Sequence, residues 1–165
     1  MSDEAIQRVD EIPLILYWLL QIRVHEVIDR VFPYPHANRL GLSYGQLTVL
    51  FLTYVLHLRT HRLCGMEEWL EHHRLVLEQA TGWTIGPKEV TDDRLGDLLT
   101  VLGEDQEQSL LVQRELGGHL IQAYALPTEV GRFDTTTFNV HHAPPEPGRK
   151  GYGLLNFGQS KDHRP

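Results

Sequence analysis

The segment from Ser43 to about Arg62 constrains the fold of this chain more than any other stretch. Ser43-Tyr-Gly-Gln46 has the pattern of a capping box, in which a hydroxyl residue and a Gln three positions later satisfy backbone N–H groups at a helix start. The residues behind it are apolar on nearly every side of a helix. A helix without a polar face has to be buried. The sequence therefore predicts that this helix forms the centre of a helical core.

Apolar residues recur at helical spacing through most of the first 126 residues. The stretch from Ile12 to Val31 carries a broad apolar face, with Pro13 suited to a first turn and Pro33 to a stop. Further helices are predicted over Met66–Ala80, from Thr91 to Leu102 and over Gln106–Ala125. We therefore expect a mainly α fold, with a helical N-terminal domain over residues 8–126.

The helix that follows Thr91 is predicted in most detail. Thr91 can cap it, and Asp92 and Asp93 suit the positive end of its dipole. Gly103 is expected to separate this helix from the next one. The buried face of the helix after Thr91 is expected to consist of four leucines, Leu95, Leu98, Leu99 and Leu102.

The character of the sequence changes near residue 131. Arg132–Val140 is rich in β-branched and aromatic residues, which predicts a strand. Ala143–Gly151 contains three Pro and two Gly and predicts a loop before a second strand over Tyr152–Ser160. A two-stranded hairpin is marginal by itself. We therefore expect residues 131–165 to form a β-hairpin that begins an incomplete domain.

The distribution of charge limits the class of partner. Residues 1–131 hold 10 Lys and Arg against 19 Asp and Glu, a net charge of −9, whereas residues 132–165 hold five against three, a net charge of +2. The acidic excess argues against a general nucleic-acid binder, because phosphate contacts need cationic side chains. DNA contact would need a local basic surface, of which there are two candidates: Arg59, His61 and Arg62, or Arg149, Lys150, Lys161 and Arg164.

Cysteine usage and hydropathy indicate the compartment. Cys64 is the single cysteine, which rules out an internal disulfide and fits a reducing cytosol, and we expect its thiol to be partly buried. The longest apolar stretch, Leu47–Leu58, is shorter than the about 20 residues that a membrane span needs. The acidic start of the chain lacks the features of a signal peptide. We expect a cytoplasmic protein without a membrane partner.

The ten histidines raise the question of a metal site. His57 and His61 are four residues apart on the predicted central helix and could share one face, as zinc ligands do. The two neighbouring arginines, Arg59 and Arg62, would repel a cation. We therefore interpret both histidines as structural.

Asp134 is the main candidate for chemistry. It lies early in a predicted strand, where it shares one face with Thr136, Phe138 and Val140. A carboxylate on such a face is costly to bury unless it is paired, hydrogen-bonded or bound to a metal. The residues alone favour a solvent-exposed Asp at a sheet edge over a metal ligand.

Two pairs of segments resemble DDE transposases of bacterial insertion sequences. Phe133-Asp-Thr-Thr-Thr-Phe138 and Asn156-Phe-Gly-Gln-Ser-Lys-Asp-His-Arg-Pro165 are similar to an Asp-Thr-Thr strand and a Gly-x-Ser-Lys-Asp-His-Arg-Pro-Asp segment of that family. Upstream, Leu42-Ser-Tyr-Gly45 and Thr91-Asp-Asp-Arg-Leu-Gly96 resemble the helical N-terminal domain of the same family. The resemblance therefore covers nearly the whole chain.

The resemblance implies a ribonuclease-H-like catalytic domain, in which three carboxylates hold two Mg²⁺ ions. Two such ions activate the attacking oxygen and stabilise the leaving oxygen at phosphorus. Asp134 matches the first carboxylate, while the other two lie beyond the point where this sequence stops. We therefore expect a truncated insertion-sequence transposase, with Asp134 as its catalytic and metal-binding residue, that cannot perform the reaction alone.

Two other functions remain open. The chain could be a non-enzymatic module that binds transposon-end DNA, or a regulator that pairs with the full-length transposase or with itself. A decayed remnant without a role is a third interpretation. The acidic character of the helical domain favours contact with protein over contact with DNA.

Overall fold

The structure is a computed structural model that describes residues 9–33 and 41–129. Within these ranges the chain is mainly helical and contains no strand, which confirms the mainly α prediction. The described helices belong to one compact unit, Met1–Pro127. The predicted β-hairpin and incomplete ribonuclease-H-like domain, residues 131–165, lie outside the described residues.

Six α-helices follow one another along the described chain. They are α1 (Ile12–Gln21), α2 (Val24–Val31), α3 (Tyr44–Leu58), α4 (Met66–Thr81), α5 (Asp92–Glu104) and α6 (Gln106–Tyr124), and a short 3₁₀ turn, Leu63–Gly65, precedes α4. None of these helices combines the length and the apolar character that crossing a membrane requires.

Helix α3 lies at the centre of the packing, as predicted, and contacts α1, α2, α4 and α5. Both bonds of the capping box are present, from Gln46 N to Ser43 Oγ (3.1 Å) and from Ser43 N to Gln46 Oε1 (2.9 Å). Leu47–Leu50 is buried. Leu56 and Leu58 are 53% and 48% exposed, so the last turn of α3 extends beyond the core.

The stretch Ile12–Val31 forms two helices rather than one. Arg23 has a left-handed conformation (φ 58°) between α1 and α2, which costs a non-glycine residue roughly 1–2 kcal/mol. The break allows α1 to pack against α3 and α4, while α2 packs against α3 and α6. Because no Gly or Pro marks this position, the break is imposed by tertiary packing and has no local signal in the sequence.

Helix α5 begins as predicted. Thr91 Oγ1 accepts a hydrogen bond from Arg94 N (3.3 Å), and Leu95 and Leu98 are completely buried. The prediction that Leu99 is buried is wrong, since this side chain is 43% exposed. It lies about 100° around the helix from Leu98, beyond the width of the contact with the core.

The boundary between α5 and α6 lies at Asp105 and not at Gly103, which is inside α5. The Asp105 carboxylate accepts hydrogen bonds from Glu107 N (2.8 Å) and Gln108 N (3.3 Å) and so caps α6. No residue of α6 is fully buried. This helix therefore covers the core from outside and keeps one long side in solvent.

Candidate functional site

The two helical-domain segments that carry the resemblance, Leu42–Gly45 and Thr91–Gly96, meet in one cluster of polar groups. We call this cluster the polar junction. It connects α2, the start of α3 and the start of α5 through five residues: Asp29, Leu42, Ser43, Glu89 and Arg94.

An ion pair between Arg94 and Glu89 encloses the backbone of Leu42. Arg94 Nη2 donates to Leu42 O (2.7 Å), and Leu42 N donates to Glu89 Oε2 (3.2 Å). The Arg94 and Glu89 side chains form an ion pair and are only 12% and 10% exposed. Water therefore screens the pair poorly, and each charge depends on the other. This arrangement holds the peptide before α3 against the start of α5.

Asp29 of α2 holds the same segment from the other side. Its Oδ2 accepts a hydrogen bond from Ser43 Oγ and its Oδ1 accepts one from Gly45 N, both at 2.7 Å. The carboxylate therefore lies at the N-terminus of α3, where the positive end of the helix dipole stabilises a negative charge. Ser43 thus caps α3 and connects it to α2.

Two glycines make this close packing possible. A Cβ on Gly45 would overlap the carbonyl oxygen of His25 in α2 and lie 2.7 Å from its Cα. Gly41 has a φ of 121°, and a Cβ there would overlap the carboxylate of Glu89. Neither position accepts a side chain without movement of its neighbours.

The polar junction is a structural element that joins three helices. The carboxylates of Asp29 and Glu89 accept hydrogen bonds from the backbone and from neighbouring side chains. The junction residues therefore determine how α2, α3 and α5 are arranged. Sequence analysis missed both acids, because an isolated Asp or Glu carries no local signal of a partner 14 to 47 residues away.

The predicted catalytic residue, Asp134, lies outside the described residues. The same is true of one of the two predicted basic surfaces, formed by Arg149, Lys150, Lys161 and Arg164. The expectation of a Mg²⁺ ligand at Asp134 therefore stays a prediction.

The other predicted basic surface is the turn after α3, where Arg59, His61 and Arg62 are exposed. Tyr54 stabilises this turn by donating its hydroxyl hydrogen to Arg62 O (2.7 Å). Burial raises the pKa of Tyr54 above its ordinary value of 10, with a further rise from Cys64 and an opposing effect of Arg62. Cys64 is exposed, so the expectation of a partly buried thiol is wrong.

His57 and His61 do not share a helix face, although their spacing would allow it, because α3 ends at Leu58. His57 instead approaches Asp10 and Glu11, and one ligand atom from each of the three residues lies within 4.8 Å of the others. Such a set could bind a cation only if the free nitrogen of His57 offered a lone pair.

A hydrogen bond from Trp69 prevents this. Trp69 Nε1 donates to His57 Nδ1 (2.9 Å), and because an indole N–H can only donate, His57 Nδ1 is the acceptor. A neutral His57 then carries its proton on Nε2, which lies 3.8 Å from Asp10 Oδ2. A protonated nitrogen is not a metal ligand, so the structural interpretation of His57 is the one that this geometry supports.

We expect ¹⁵N NMR to show His57 as the Nε2–H tautomer when the ring is neutral, and Zn²⁺ to leave the melting temperature unchanged. A cation bound at 100 times its Kd would stabilise the fold by about 2.7 kcal/mol, which is easily detected. His72→Gln is the control, since this side chain is exposed on α4. Stabilisation by Zn²⁺ that His57→Gln removes and His72→Gln keeps would contradict the assignment.

The fold and the polar junction define a helical module whose motif residues serve its architecture. The chain matches the family described as "Domain of unknown function (DUF4277)" over residues 4–114, from before α1 into α6. The chain belongs to this family. Comparisons with curated proteins and with solved structures gave no match.

Proposed function

We propose that these 165 residues are the N-terminal part of a DDE insertion-sequence transposase. In this proposal the helical unit precedes a catalytic domain with Asp134 as its first acidic ligand, ten residues after α6 ends at Tyr124. The observation that carries it is the match of residues 4–114 to DUF4277, a domain associated with transposases. The substrate would be transposon-end DNA, and the place of action the cytoplasm.

The chemistry would need more ligands than Asp134 alone. When bound, Mg²⁺ ions supply an activated attacking oxygen and stabilise the leaving oxygen. Asp134 would contribute one carboxylate, and the resemblance assigns the other two to polypeptide beyond residue 165. One carboxylate does not offset the repulsion between two divalent cations. The 165 residues alone are therefore expected neither to nick nor to join DNA.

The test supplies the remaining ligands in trans. The purified chain is incubated with Mg²⁺ or Mn²⁺ and a supercoiled plasmid carrying the repeats that flank its gene, with and without the polypeptide encoded directly downstream. We expect nicking only in the combined reaction. Asp134→Asn should reduce it to background, because the amide lacks the negative charge that the cations need.

The matched control is Glu146→Gln, which neutralises another acid of residues 131–165. It should leave nicking unchanged. Nicking that survives Asp134→Asn would remove Asp134 from the proposed site. If no reading frame of the DNA directly downstream encodes the further Asp and Glu ligands, that result would contradict the transposase proposal itself.

One observation favours a second candidate, a non-enzymatic module that contacts the full-length transposase. Four of the seven arginines in residues 9–33 and 41–129 are paired with glutamates, as Arg23–Glu26, Arg30–Glu115, Arg74–Glu71 and Arg94–Glu89. Paired cations contribute little to phosphate binding, and residues 1–131 carry a net charge of −9. Such a module would lower transposition by a co-expressed full-length enzyme, and Asp134→Asn would not change that effect.

A further inference from the structure

Helix α6 divides into two halves at the pair Gly117–Gly118. The apolar side chains of α6 that pack against the core all precede this pair, and they are Leu111, Val112 and Leu116. In the same half, Glu115 forms an ion pair with Arg30 of α2 (2.7 Å). After the pair, every residue from Leu120 to Leu126 is exposed. The helical unit therefore holds α6 mainly through the half that precedes the glycines.

We call residues His119–Leu126 the arm. A ring contact holds its end against α1, with the ring centroids of Tyr124 and Trp18 5.4 Å apart. These side chains remain 40% and 43% exposed, so the contact buries little area and stabilises the arm only weakly. The arm also contains Ala125 in a left-handed conformation (φ 47°), which is unfavourable for a residue with a side chain. The arm is therefore the part of α6 that leaves its position most easily.

Packing does not require either glycine of the pair. A Cβ on Gly117 or Gly118 would meet nothing within 4 Å, whereas a Cβ on Gly45 would overlap the backbone of α2. Glycine is the weakest helix former apart from proline, and helices bend at such pairs. The pair therefore weakens α6 at the point where its contacts with the core end. The family match also ends close to this point, at residue 114.

We propose that Gly117–Gly118 is a hinge on which the arm moves between two states. In the closed state Tyr124 lies against Trp18, and in the open state this contact is broken while the half of α6 before the hinge stays packed against the core. An isolated helix as short as the arm is not stable in water, so the arm unwinds when it opens. The hinge gives the helical unit a movable end. The inference rests on the helical unit alone and does not depend on transposase activity.

The experiment is native-state hydrogen exchange of the full chain, which compares the amides of the arm with those of Val112–Leu116. We expect the arm to exchange at least about tenfold faster, because it opens locally. Replacing both Gly117 and Gly118 by Ala should slow exchange in the arm about 25-fold, since each alanine favours the helix about fivefold. Trp18→Ala should speed it about two- to tenfold, the contribution of an aromatic pair.

The matched control is Gly96→Ala, which makes the same change inside α5 at a position where a Cβ also meets nothing within 4 Å. It should leave exchange in the arm unchanged. An arm that exchanges as slowly as Val112–Leu116 would overturn the proposal. Exchange in the arm that ignores the two alanines would also overturn it, because fraying of the last helical turn does not involve residues 117 and 118. Equal slowing by Gly96→Ala would have the same consequence.

Discussion

Replacing Gly45 by Ala should lower the free energy of unfolding by about 3 kcal/mol or more, at the upper end of the range for overpacking. The added Cβ would overlap the carbonyl oxygen of His25, which is backbone and cannot rotate away. Helices α2 and α3 would have to separate, and the hydrogen bond from Gly45 N to Asp29 would lengthen. Urea denaturation of the full chain, followed by circular dichroism, measures the change.

The matched control is Gly96→Ala in α5, which also lies in a segment that carries the resemblance. A Cβ on Gly96 would meet nothing within 4 Å. Alanine is the better residue in a helix interior, so this variant should gain about 0.5–1 kcal/mol. If Gly45→Ala unfolds at the same urea concentration as the unmodified chain, the close approach of α2 and α3 is not as described.

Removing the cation of the polar junction should have a comparable effect. Arg94→Met leaves the carboxylate of Glu89 buried beside Leu42 without its counter-charge, and should cost about 3–5 kcal/mol. Glu89→Gln keeps an acceptor for Leu42 N and should cost about 1–3 kcal/mol. The double variant should be more stable than Arg94→Met, because it no longer contains an unpaired buried charge.

The exposed pair Arg23–Glu26 provides the control, since its side chains are 57% and 45% exposed. Arg23→Met should cost about 0.2–1 kcal/mol, the value of a solvent-screened pair. Equal losses in Arg23→Met and Arg94→Met would show that burial does not set the strength of the junction. A double variant with the summed loss of the two single variants would mean that Glu89 and Arg94 are not coupled.

The helix starts could be predicted from sequence wherever the signal is local. Ser43 and Gln46 satisfy each other's backbone groups within one turn, and Thr91 Oγ1 accepts a hydrogen bond from Arg94 N at the start of α5. Gly82 ends α4 in the left-handed conformation that glycine adopts without strain. Such signals lie within one helical turn, so they can be recognised without knowledge of any tertiary contact.

The candidate site could be predicted only in part. The segments Leu42–Gly45 and Thr91–Gly96 stood out by resemblance, yet their role followed from partners that the sequence does not indicate. Asp29 and Glu89 were not singled out from the sequence, and only the fold places them beside backbone N–H groups. For Asp134 the sequence proposes a role by resemblance, and that role stays a prediction because Asp134 lies outside the described residues.

By itself the sequence determined the helical class, the buried character of α3 and the caps of α3 and α5, because these depend on spacing and on hydrogen bonds within one turn. Only the tertiary structure decided the break at Arg23, the exposure of Leu99 and the tautomer of His57. Each of these depends on a surface or a donor from another helix. Contacts between helices that are distant in sequence fix them, and no local pattern encodes such contacts.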